Sequence, residues 1–143
     1  MKQNKRISGG TKKMTDKKIV GVKGETIASN FLKRKGFEII ERNYLKKCGE
    51  IDIVAKLKNE ETLHFVEVKT VIRETHVQKR VDTFRPEENV HTRKRQRLKR
   101  TIAYFLAEHF GKREVSWQFD VLVVYLDSFE KSAKAVFMKN IIL

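Results

Sequence analysis

The run Phe119–Leu126, FDVLVVYL, constrains this chain more than any other segment. Apolar on nearly every residue, it reads as a strand buried on both faces, which puts it at the centre of a sheet with covering layers on either side. The six residues Val121–Leu126 are the longest apolar run, far too short to span a membrane.

The rest of the chain supplies the covering layers and the neighbouring strands. Residues 19–35 carry Ile27, Ala28, Phe31 and Leu32 at helical spacing, and Gly36 follows as a stop. FEIIERNY (37–44), GEIDIVAK (49–56) and TLHFVEVKT (62–70) read as three strands joined by short polar turns, an antiparallel meander. Residues 71–89 are long, polar and aperiodic, as functional or disordered loops are. HTRKRQRLKRTIAYFLAEHF (91–110) is a second helix with the stripe Leu98, Ile102 and Phe105. The ending KAVFMKNIIL suits a last strand or a short helix equally. The order helix, three strands, helix, strand implies an α/β fold: a mixed β-sheet flanked by helices, with a crossover pairing two strands in parallel. With 143 residues and no internal repeat, one domain is expected over 18–143, preceded by a disordered basic tail over 1–17.

Charge narrows the partners. There are 32 Lys and Arg against 18 Asp and Glu, a net +14, which attracts polyanions, nucleic acid before an anionic membrane. The only cysteine, Cys48, can form neither an intramolecular disulfide nor a zinc site of CxxC spacing, and a reducing, cytoplasmic setting fits. No apolar segment follows the basic first residues, so no secretory signal is expected.

Charged side chains also fall on faces that should be apolar. Glu67 and Lys69 share a strand face with Leu63 and Phe65, and Asp52 shares one with Glu50 on the neighbouring strand. Glu25 extends the stripe of the first helix, and Lys94, four residues before Leu98, that of the second. For any single pair a strand-edge ion pair is the better reading. Three carboxylates and a lysine from three elements shift the balance, because the carboxylates repel and a shared cation compensates them. Hard oxygen ligands favour Mg2+ or Mn2+ over Zn2+. A lysine beside such a metal suits phosphodiester hydrolysis.

EIDIVAK followed by LHFVEVKT resembles the D…(D/E)xK core of restriction-endonuclease-like nucleases. In order, GVKGETIASNFLKRKGFEIIERNY, CGEIDIVAK, FVEVKT, RPEENV, RKRQRLKRTIAYFLAE and FDVLVV resemble the YraN family of small bacterial endonuclease-like proteins, from about Val20 to the end. The resemblance implies Asp52 and Glu67 as metal ligands with the Val68 carbonyl as a third, Lys69 as the catalytic lysine, and Glu25 as the helix glutamate that completes the site. Archaeal Holliday-junction resolvases are structural cousins of the family, which makes branched DNA a candidate substrate. The loop after Lys69 departs from the family pattern: it lacks the arginine after KT and any glycine.

Arg93, Arg95, Arg97, Lys99 and Arg100 form a basic cluster on the second helix, readable as a solvated face or as a DNA-backbone contact. Lys94 reaches toward the site or merely covers apolar surface with its stem. His64 falls opposite Glu67 and is not expected to be catalytic. His76 and His91 carry no signal, Trp117 and Tyr104 read as core or strand-end aromatics, and Cys48 as inert. The leading expectation is a metal-dependent DNA endonuclease, structure-selective or non-specific. The alternative is a binding or adaptor protein that keeps the fold without turnover, and charge alone motivates a third reading, an RNA-associated protein. A homodimer would be needed to cut a junction twice, and no dimer face is legible.

Overall fold

The computed structural model describes residues 16–73, 92–127 and 132–143. Its elements are α1 (Asp16–Arg34), β1 (Phe37–Lys46), β2 (Gly49–Leu57), β3 (Leu63–Arg73), α2 (Thr92–Phe110), β4 (Trp117–Asp127) and β5 (Ser132–Met138). The five strands form one sheet in the order β1-β2-β3-β4-β5. β3 and β4 pair in parallel, with α2 in the crossover between them, and the other three pairings are antiparallel. The fold is therefore the expected α/β arrangement, a mixed sheet flanked by helices as in restriction-endonuclease-like proteins.

The apolar run in β4 serves two cores at once. Phe119, Val121 and Val123 join Leu63, Phe65, Leu98, Ile102 and Phe105 under α2. Leu122 and Val124 join Val66, Ile53, Ala28 and Leu32 under α1. Alternation along a strand buried on both sides produces this division.

Several boundaries move. α1 starts at Asp16, whose acidic side chain suits a first turn, so residues 16 and 17 belong to the helix rather than to a tail. Residues 1–15 lie outside the described residues. β3 runs on to Arg73, three residues into the segment read as loop, because its ladder with β4 continues to Arg73↔Asp127. Residues 74–91 lie outside the described residues; they hold the rest of that segment, RPEENV, His76 and His91. The undecided C-terminal segment forms a strand as far as Met138, antiparallel to β4. Tyr104 is 56% exposed on α2 and is not a core aromatic, whereas Trp117 sits at the start of β4 with its ring against Phe65.

A buried polar knot fastens the sheet. Asp120 is fully buried in β4 and meets His64 Nδ1 on β3 at 2.5 Å. It also accepts hydrogen bonds from Gln118 Nε2 and from the Asn140 backbone N–H, both at 2.8 Å. His64 packs its edge on Phe37, in the core under α1, so it does lie opposite Glu67. No helix among the described residues is long and apolar enough to cross a membrane.

Candidate functional site

The site begins where two strands part. β2 pairs with β3 only over Ile53–Lys56, against Val66–Leu63. Beyond Ile53 the strands diverge, and the Asp52 carboxylate takes the place of a ladder partner, accepting the Val68 backbone N–H at 2.8 Å. The strand also switches faces here. Ile53 belongs to the core under α1, yet Ile51, two residues away, belongs to the core under α2. On β1 the same switch separates Arg42, which pairs with Glu25 of α1, from Tyr44, which packs under α2. Between them Asn43 has a φ of 53°, a left-handed conformation that Asn tolerates better than most residues. Simple alternation, which placed Asp52 and Glu50 on one regular strand face, therefore fails at this point.

The parting brings together side chains from both layers of the fold. Glu25 comes from α1. Its helix lies close on β3 because Gly24 has no side chain: a Cβ there would fall 1.8 Å from Thr70 Oγ1. Arg42 Nη2 stands 3.9 Å from Glu25. With its amide nitrogen turned inward, Asn43 donates to Glu25 at 3.0 Å and to Glu50 at 3.2 Å. Glu67 comes from β3 on the opposite face, in register with Val121 of the core under α2, and is ion-paired with Lys94 of α2.

The electrostatics converge on Asp52. Burial pushes its pKa up to about 7; the Val68 N–H opposes this, and the charges of Glu25, Glu67 and Glu50 add to it. Glu25 is also raised, by burial first and by Glu50 second, against Arg42 and Asn43. Both shifts mark a region that resists more negative charge and would favour a cation. Among the described residues no three Asp, Glu, His or Cys side chains already surround one point.

A cleft of about 650 Å3 opens beside Asp52. Glu50, Asp52 and Glu67 form its acidic wall, and Arg93, Lys94 and Arg97 of α2 its basic wall. Lys69 follows Glu67 along the same strand face, in register with Val123, but does not line the cleft. It has no ion-pair partner among the described residues. The basic cluster on α2 is not one patch. Arg93 and Arg97, one turn apart, border the cleft, whereas Arg95 and Lys99 flank the other side of the Leu98 stripe. Arg100 points to solvent.

Asn43 and Arg42 join the site without belonging to any of the charged stripes of the sequence. The one signal for the switch is an Asn, which tolerates the left-handed region, inside a strand segment.

The sequence profile of the uncharacterised protein family UPF0102 matches residues 24–124. The chain belongs to the UPF0102 family, also called YraN. Among its UPF0102 relatives, the protein from Campylobacter lari is 40% identical over 109 residues, 76% of this chain and 86% of its own length. The UPF0102 protein of Caldicellulosiruptor bescii is 34% identical over 123 residues, 86% of this chain and 96% of its own. That of Moorella thermoacetica is 40% identical over 117 residues, 82% and 89% respectively. The UPF0102 profile spans the cleft, both carboxylate-bearing strands and all of α2.

Proposed function

We propose that this UPF0102 protein is a metal-dependent endonuclease that hydrolyses phosphodiester bonds in DNA. The observation that carries the reading is Asp52, raised to about 7 by burial and three carboxylates, at the wall of a cleft whose far side is cationic. A carboxylate site next to cations suits a phosphodiester, which needs its metal on one side and its charge neutralised on the other.

The donor set fits Mg2+ or Mn2+, being hard carboxylate and carbonyl oxygen with neither thiolate nor imidazole. Asp52, Glu67 and the Val68 carbonyl would hold the ion, with Glu25 and Glu50 supporting it. A metal bound there would polarise a phosphoryl oxygen and acidify a coordinated water. Lys69, two residues past Glu67 on its face, would orient or deprotonate that water. Arg93 and Arg97 would hold backbone phosphates, with Arg95, Lys99 and Arg100 extending the basic surface. Phosphate contacts position a substrate without reading its sequence, so structure-selective or non-specific cleavage of linear or branched DNA is the expected outcome. Such an enzyme would act in the cytoplasm; paired cuts across a junction would require a homodimer.

One observation favours the adaptor reading. Glu67 is already neutralised by Lys94, and no three ligands stand ready among the described residues. The two readings separate in one experiment: linear, nicked, flapped and four-way-junction DNA incubated with Mg2+, Mn2+ or EDTA. Metal-dependent cleavage abolished in both Asp52→Ala and Lys69→Ala supports the nuclease. Tight binding with no cleavage in any metal leaves the adaptor. Competition between RNA and DNA of equal length tests an RNA-associated role.

A further inference from the structure

We infer that Lys94 is a resident counter-ion of the carboxylate site, which an incoming metal ion has to displace from Glu67. The inference rests on the metal site proposed above and concerns what controls its occupancy.

Three observations carry it. First, the Lys94 ammonium is bonded to Glu67 Oε1 across the cleft, from α2 to β3. Second, Lys94 sits in the first turn of α2, a turn that contains no acidic residue. The helix dipole disfavours cations at that end, so the lysine is held there by the carboxylate and not by its own helix. Third, the neighbouring arginines do not share the task. Arg93 and Arg97 line the same cleft, yet neither is ion-paired among the described residues. Of the three basic side chains that line the cleft, only Lys94 is ion-paired with the acidic wall among the described residues.

Glu67 faces the core under α2 with a side chain only 17% exposed, so water neutralises its charge poorly. In the metal-free protein the ammonium does this instead. A divalent ion that takes Glu67 as a ligand competes with the ammonium for the same oxygen and is repelled by its charge. Lys94 therefore sets a threshold for metal binding. It also offsets the charge of Glu67 on the acidic wall while no metal is bound. Once displaced, the ammonium remains in the cleft between Arg93 and Arg97, where a backbone phosphate would meet three cations.

Isothermal titration of the full chain with Mn2+ alone, without DNA, tests this. Wild type is compared with Lys94→Gln, Lys94→Met, Lys94→Arg and, as a site control, Asp52→Ala. Lys94→Met keeps an apolar stem along the helix stripe, and thermal unfolding in EDTA verifies that each variant folds. Removing the charge is expected to tighten Mn2+ binding three- to ten-fold in both Lys94→Gln and Lys94→Met. Lys94→Arg, which keeps the charge, should stay within about twofold of wild type. Unchanged or weaker binding in both neutral variants, with Asp52→Ala still abolishing it, overturns the inference and leaves the metal site standing. Absence of Mn2+ binding by wild type removes the metal site and the inference together.

Discussion

Asp52 is the residue whose environment most clearly opposes its own charge. A carboxyl whose folded pKa is raised binds its proton more tightly in the native state than in the unfolded chain. The native state is then favoured at low pH, and stability falls as pH rises from the unfolded value, near 4, to the folded value, about 7. Above 7 the cost is complete and levels off, at roughly 2–4 kcal/mol from a shift of this size. Asp52→Asn keeps an oxygen to accept the Val68 N–H and removes the charge. The metal-free variant should be more stable than wild type at pH 8 by that order and equally stable near pH 4. Urea unfolding in EDTA at several pH values measures the difference, and a gap independent of pH would contradict the assignment. Added Mg2+ should stabilise wild type at pH 8 and leave the variant unmoved. Asp120 is the contrasting case, a buried carboxylate fully occupied by His64, Gln118 and the Asn140 N–H. Asp120→Ala strands those donors and should cost about 3–5 kcal/mol in urea unfolding.

Two contacts between elements govern where the site forms. The first is α1 on β3 through Gly24 and Thr70. Alanine raises helix propensity by about 1 kcal/mol over glycine. Here its Cβ would overlap Thr70 Oγ1 and come within 3.0 Å of Thr70 Cβ, so the helix must retreat. Gly24→Ala is expected to destabilise by about 1–3 kcal/mol, and Thr70→Ala in the same chain should recover part of it. A double-mutant cycle by urea unfolding reads this coupling, and simple additivity would show that the two elements do not meet there. The second contact is α2 on β2. Arg93 and Arg97 lie on the cleft side, and Arg95 and Lys99 on the other. If DNA lies along the cleft, Arg93→Ala or Arg97→Ala should each weaken binding and lower the salt slope by about 1. Lys99→Ala should change the slope less. Equal effects at all positions would mean that the whole helix, and not the cleft, is the contact.

At the scale of the whole molecule, the fold could be read from the sequence because its signals are local and repeated. A run apolar on both faces implies two covering layers, two striped segments supply them, and the intervening helix makes β3 and β4 parallel. The candidate residues were also legible, since a charge on a stripe that should be apolar stands out in one dimension. Their mutual arrangement was not. Alternation counts residues along one strand, and it failed at Asn43 and Asp52 because both strands change faces there. That change shows only in the positive φ of Asn43 and in the divergence of β2 from β3. The pairing of Lys94 with Glu67 and the bonds from Asp120 to His64 and to the Asn140 N–H join residues 20 or more positions apart, which no local period encodes. Sequence alone thus determined the layers and the identity of the charged residues. Tertiary packing decided which carboxylates influence Asp52, because only the parting of two strands lets side chains from opposite faces of the sheet approach it.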